Sequence, residues 1–178
     1  MKTKLFSTMI AAGVIAISQN ALASDGTITF NGNITAQTCT IASSAGGKDF
    51  TVVLPTVSTS ILAAAGQTAG DTAFSINLSA CSPNSGPVRT HFEAGSTVNA
   101  QGRLLQQAAG TATNVDIQLL NGDSTVIKAG DPDASQNSKP TAIASGSATL
   151  PYIGRYYATG TSTAGTVTSF VTYSLAYQ

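Results

Sequence analysis

The chain has 178 residues with eight basic and eight acidic side chains, so charged residues make up only 9% of it. A chain without net charge or a basic cluster lacks the electrostatic surface on which nucleic acids and anionic membranes are bound. Hydrophobic residues make up 42%, which argues against disorder, and the length suits one domain with a substantial core.

Residues 1–23 have the pattern of a secretion signal. Lys2 and Lys4 precede an apolar run over residues 5–17, and residues 21–23 offer a small-x-small cleavage site. The apolar run is shorter than the roughly 20 residues that span a bilayer. We therefore expect an exported protein that begins at Ser24, with 155 residues and a net charge of −2 from six basic and eight acidic residues.

Residues 26–34 alternate between two faces. Gly26, Ile28, Phe30, Gly32 and Ile34 lie on one face, and only Thr and Asn lie on the other. This period of two predicts a β-strand, and the absence of charge or proline leaves its edges unprotected. The pattern fits either the first strand of an all-β domain or a strand that pairs with another molecule.

The chain has two cysteines, Cys39 and Cys81. An even pair in an exported protein predicts one disulfide, which closes a loop of roughly 40 residues. Because the chain has a single histidine and no CxxC spacing, a catalytic or metal-binding role for these cysteines is disfavoured.

The remaining pattern predicts strands separated by turns, in a sandwich of about seven strands. Residues 60–69 form a helical turn or a loop, 82–87 a turn, and 129–140 a polar loop, of which residues 131–137 are expected to be solvated. A hairpin at Asn121-Gly122 leads into residues 124–127. The predicted strands are residues 50–54, 74–79, 88–93, 115–119, 148–159 and 167–177. In the last of these, Val171, Tyr173, Leu175 and Tyr177 share one face.

Two stretches could be mistaken for chemical sites. Residues 131–137 have the first ligand spacing of a calcium loop, but Gln136 replaces the required Gly and Ala142 the bidentate Glu. His91 has no catalytic motif around it, and we expect it to hydrogen-bond Glu93 on the same strand face. The sequence therefore predicts no enzyme, no metal and no cofactor.

Taken together, these segments resemble the structural pilins of chaperone–usher fimbriae, most nearly the major subunits of type 1-like rods. The resemblance extends from the signal to the last residue. It is carried by residues 26–32, 36–41, 53–55, 74–81, 114–120, 150–152, 155–160 and 173–178, in this order and with one disulfide at this spacing.

The resemblance implies an all-β fold, an incomplete immunoglobulin-like β-sandwich (residues 36–178) completed by a donor strand from the neighbouring subunit. Residues 24–35 would be the donor extension, with Gly26, Ile28, Phe30, Gly32 and Ile34 facing the receiving groove. The edge formed by Val171, Tyr173, Leu175 and Tyr177 would bind first a periplasmic chaperone and then the next subunit at an outer-membrane usher.

The implied function is a structural fimbrial subunit at the cell surface that polymerises head to tail and supports adhesion. A host receptor would be reached only through the assembled fibre. Two alternatives remain open at this point: a minor or adaptor pilin of the same system, and a self-contained secreted adhesive β-sandwich.

Overall fold

A computed structural model describes residues 28, 29, 34 and 36–177 of the chain. The predicted signal over residues 1–23, and Gly26, Phe30 and Gly32 of the predicted donor strand, lie outside the described residues. Within the described part, no helix is long and apolar enough to cross a membrane.

The described residues form nine strands and one 3-10 helix (Thr59–Leu62). The strands are β1 (Thr38–Ser43), β2 (Thr68–Ser82), β3 (Gly86–Phe92), β4 (Leu104–Leu105), β5 (Val115–Asn121), β6 (Val126–Ile127), β7 (Thr141–Ile143), β8 (Ala148–Ala158) and β9 (Tyr173–Tyr177). The all-β prediction is confirmed, as are the turn at residues 82–87 and the β5–β6 hairpin. The predicted number of about seven strands was too low.

The strands form two antiparallel sheets. The larger has the order β1-β2-β8-β5-β4, with β6 also paired to β5, and the smaller has the order β7-β3-β9. Strand β2 is longer than predicted, because its pairing with β8 continues past a register shift between Ala69 and Thr72. A buried cluster that includes Ile76, Leu150, Val88 and Phe92 joins the inner faces of both sheets.

Aromatic side chains connect the two sheets through this core. Phe92 of β3 meets Tyr152 of β8 edge to face at 5.3 Å between ring centroids. Tyr152 in turn lies 5.6 Å from Phe74, which lies 6.0 Å from Phe50. Such pairs stabilise by about 0.5–1.5 kcal/mol each beyond the area they bury.

The larger sheet also has polar contacts on its outer face. Asp116 is buried, and its Oδ2 accepts hydrogen bonds from Asn99 Nδ2 at 2.9 Å and Arg103 Nε at 3.0 Å. The Arg103 guanidinium lies over the Tyr157 ring, 4.2 Å from its centroid. These contacts satisfy a buried charge that would otherwise be costly.

Two strand predictions were wrong in extent. Residues 50–54 pair with no described strand and are not assigned as one. The last strand covers only Tyr173–Tyr177. Before Thr172, the predicted segment bonds to loops rather than to β3: Gln107 N donates to Thr168 O, and Thr97 Oγ1 to Phe170 O.

The polar loop predicted over residues 129–140 is confirmed, but the expectation that residues 131–137 are solvated was wrong in part. The segment contains no strand, but Gln136 is completely buried and hydrogen-bonds the backbone of β3. The Gln136 amide is shielded from water because it bonds to the edge of β3. The polarity of the neighbouring residues in the sequence does not reveal such a contact.

The Cys39–Cys81 disulfide is present and joins β1 to β2 across a sequence separation of 42 residues. We predict that the double variant Cys39→Ser, Cys81→Ser unfolds at lower denaturant concentration, with a loss of about 2–4 kcal/mol, because the unfolded chain regains loop entropy. Urea unfolding followed by circular dichroism measures this loss. An unchanged midpoint in the variant would contradict a stabilising role.

Candidate subunit-docking groove

Strand β9 lies at the open edge of the smaller sheet. It pairs with β3 and, among the described strands, with no other. Glu93 N donates to Thr172 O at 2.9 Å, one pair beyond Phe92↔Tyr173 in the same register. Bonded and non-bonded pairs alternate in an antiparallel ladder, so the backbone groups of Tyr173, Leu175 and Tyr177 point away from β3, towards the open edge.

The inner face of this edge is apolar and only partly covered. Tyr173, Leu175 and Tyr177 pair with Phe92, Thr90 and Val88, which are all buried. The predicted edge residues pack on the core but are only half-buried: Val171, Tyr173, Leu175 and Tyr177. The same holds for Cys39, Ile41 and Phe74 of the other sheet. The structure thus brings the predicted edge residues together on one incompletely covered face.

The segment of residues 50–55 begins beside this region. Their exposure alternates: Phe50, Val52 and Leu54 are half-buried, whereas Thr51, Val53 and Pro55 are exposed. Phe50 packs on the core, and Tyr173 Oη donates to Lys48 O at 2.7 Å, which ties β9 to the start of this segment. The segment has the side-chain pattern of a strand without a ladder partner. We call the region between residues 50–55 and β9 the groove.

The sequence predicts a strand at residues 50–54 but gives it no part in the groove. The signal was present, since the alternating run ends at Pro55, a residue typical of strand edges. What the sequence did not contain was the position of this run relative to the last strand.

Two apolar residues of the predicted donor strand are described, and both are exposed. Ile28 has 81% and Ile34 99% of its surface accessible. Large apolar side chains left in water favour association with an apolar surface.

Burial raises the pKa values of the tyrosines in the groove. It raises the pKa of Tyr177, and burial together with the negative charge of Asp49 raises the pKa of Tyr173 above the ordinary value of 10.0. Both shifts have the sign expected when a neutral phenol is kept from water. The groove therefore suits uncharged side chains.

The outer face of the smaller sheet carries a different, open cleft of about 560 Å³, whose lining includes His91, Glu93 and Asp133. His91 Nε2 lies 3.6 Å from Glu93 Oε2, too far for a hydrogen bond, so the predicted His91–Glu93 bond was wrong. Ser174 Oγ instead donates to Glu93 Oε1 at 2.5 Å, and Arg89 Nε donates to Asp133 Oδ1 at 3.0 Å. Among the described residues, no three acidic, histidine or cysteine side chains are grouped to hold a metal ion.

Comparison with known proteins places the chain in a family. Residues 54–178 match the family described as type-1 fimbrial protein, A. The major fimbrial subunit SMF-1 of Stenotrophomonas maltophilia is 51% identical, over 95% of this chain and 99% of that protein. The chain belongs to the type-1 fimbrial protein family. It is also 41% identical to the F17 fimbrial protein of Escherichia coli, over 93% of this chain and 96% of that one.

Solved structures support the fold. A chaperone–usher pilus subunit superposes with a TM-score of 0.58 at 21% identity, over 94% of this chain and 100% of that chain. The P pilus rod subunit PapA gives 0.60 at 18% identity, over 79% and 99%. The fold is thus the incomplete immunoglobulin-like sandwich of pilins, and this fimbrial protein is a structural subunit that is exported to surface fimbriae.

The raised pKa values of the groove tyrosines predict a pH dependence. The folded subunit keeps these phenols neutral at higher pH than the unfolded chain, so their contribution to stability is fully present below pH 10.0 and is lost as pH rises through the raised values. We expect the double variant Tyr173→Phe, Tyr177→Phe to lose less stability between neutral and alkaline pH than the wild type. Urea midpoints across this range measure the loss, and parallel profiles would contradict the assignment.

Proposed function

We propose that this fimbrial subunit polymerises by strand addition. The groove of one subunit receives residues 24–35 of the next, with Gly26, Ile28, Phe30, Gly32 and Ile34 facing inwards. The observation that carries the proposal is the open edge of β9, which combines unpaired backbone groups with a partly exposed apolar face. An added strand supplies hydrogen bonds to the unpaired backbone groups and covers the apolar face.

The energetics of such an addition are favourable. Each large apolar side chain that leaves water contributes about 1.5–3 kcal/mol, so Ile28, Phe30 and Ile34 contribute roughly 5–9 kcal/mol together. Backbone hydrogen bonds add about 0.5–1.5 kcal/mol each. Gly26 and Gly32, without side chains, suit positions where the inserted strand comes close to the groove floor.

The same groove would need a protecting chaperone during export. An open apolar edge is prone to pair indiscriminately with other strands, so a periplasmic chaperone that lends a strand would protect it until the subunit reaches an outer-membrane usher. Because the donor segment of one subunit would occupy the groove of its neighbour, the contact would be head to tail and would not close, and the product would be a filament. The subunit carries out no catalysis in this scheme.

The two alternatives differ in what they require. A minor or adaptor subunit would use the same groove and differ in its copy number in the fibre. A self-contained secreted sandwich would need its last strand paired or guarded by charge or proline. The open edge of β9, with apolar side chains at alternate positions, favours the polymerising subunit.

The donor strand is tested by Phe30→Asp, with the adjacent Asn31→Asp as a control of equal charge on the opposite strand face. Wild-type surface material, loaded unheated on a denaturing gel, should give a ladder of multimers that collapses to one band after boiling in acid. Phe30→Asp should give no ladder because a charge enters an apolar groove, and Asn31→Asp should keep it. A normal ladder from Phe30→Asp would overturn the donor assignment.

The receiving edge is tested by a second matched pair, Val171→Lys and Thr172→Lys. Val171 is half-buried on the groove face, and Thr172 is exposed on the other. We expect Val171→Lys to abolish surface fimbriae in quantitative immunoblots and Thr172→Lys to leave most of them. Equal amounts of fimbriae from the two variants would show that the groove face is not the receiving surface.

A further inference from the structure

The loop between β6 and β7 sends one completely buried side chain, Gln136, to the backbone of β3. Phe92 N donates to Gln136 Oε1 at 2.7 Å, and Gln136 Nε2 donates to Phe92 O at 2.8 Å. The same Nε2 lies 3.2 Å from Asp131 O and 3.3 Å from His91 Nδ1. The amide therefore forms two bonds to one strand residue, as a neighbouring strand would.

This contact lies where β3 has no strand beside it. On the edge opposite β9, β3 pairs with β7 only at Gly86, Pro87 and Val88. The phase of the β3–β9 ladder directs the N–H and C=O of Phe92 towards that same edge. Gly130 N also donates to Phe92 O, at 3.0 Å, whereas the Phe92 N–H depends on the Gln136 amide.

Phe92 in turn positions the groove. It lies directly opposite Tyr173 in a non-hydrogen-bonded pair, the closer type of pair in an antiparallel ladder. Its ring packs edge to face on Tyr152, which contacts Phe74. A displacement of Phe92 would therefore reach β9 through the ladder and the opposite sheet through the aromatic rings.

We propose that Gln136 is a positioning residue for strand addition: by completing the outer edge of β3 at Phe92, it holds Tyr173 and the packed rings of Phe92 and Tyr152 in the arrangement that receives a strand. This inference rests on the proposed function. Gln136 does not touch the incoming strand and acts on it through Phe92.

Asn121 provides a matched control within the same part of the chain. It is also a buried amide, and it anchors the same loop: Nδ2 donates to Asn137 O at 2.8 Å, and Oδ1 accepts from Lys139 N at 3.0 Å. It belongs to β5, which has no ladder with β9. Loss of its bonds should loosen the loop and lower stability without displacing the groove edge.

The test compares the wild type with Gln136→Met, Gln136→Glu and Asn121→Leu. Each mature subunit is dissociated from fimbriae in acid and renatured with excess labelled synthetic peptide of residues 24–35. The rate of peptide capture and the thermal midpoint of the filled subunit are both measured. We expect capture to slow about tenfold in Gln136→Met, as for the loss of a buried hydrogen-bonding partner. Gln136→Glu can still accept from Phe92 N and should lie between Gln136→Met and the wild type.

The outcomes separate the two proposals. Slower capture in Gln136→Met than in Asn121→Leu, at a comparable loss of thermal midpoint, supports a positioning role. Equal rates in the two variants would overturn it and leave Gln136 as a structural residue only. If the wild type captures no peptide, the proposed function fails, and the inference fails with it.

Discussion

The unpaired outer edge of β9 is the constraint on which the rest of the subunit depends. A strand whose backbone groups face outwards needs hydrogen-bond partners, and its half-buried inner face needs apolar cover. Tyr173, Leu175 and Tyr177 have both needs at once, since their backbone groups point to the open edge and their side chains lie on the core. One inserted strand with alternating apolar residues would meet both needs, and this is how the proposed strand addition would build a fibre.

The two sheets differ in how far each is completed within the chain. The larger sheet holds the disulfide, the long β2–β8 ladder and the polar network around Asp116. The smaller sheet has three strands and, at Phe92, relies on the amide of Gln136 in place of a strand. The larger sheet therefore contains most of the paired strands, whereas the smaller sheet has the open apolar edge.

The chemistry of the two faces of the smaller sheet fits this division. The groove face carries aliphatic and aromatic side chains, and burial alone is sufficient to raise the pKa of Tyr177. The outer face carries His91, Glu93 and the Arg89–Asp133 ion pair. Since successive residues of β3 and β9 point to opposite faces, the five residues of β9 are enough to separate an apolar inner face from a polar outer face.

The sequence by itself determined the all-β class, the positions of β2, β3, β5 and β8, the disulfide and the apolar side of the last strand, because alternation, turn residues and cysteine pairing act over short distances or by simple counting. It could not determine that residues 50–54 pair with none of the described strands, that the assigned part of the last strand starts at Tyr173, or that Gln136 is buried. Those features depend on which segments, far apart in the chain, lie side by side. Only the tertiary structure decided which edge was left open, since a strand's hydrogen-bond partners are set by its neighbours in space and not by its own residues.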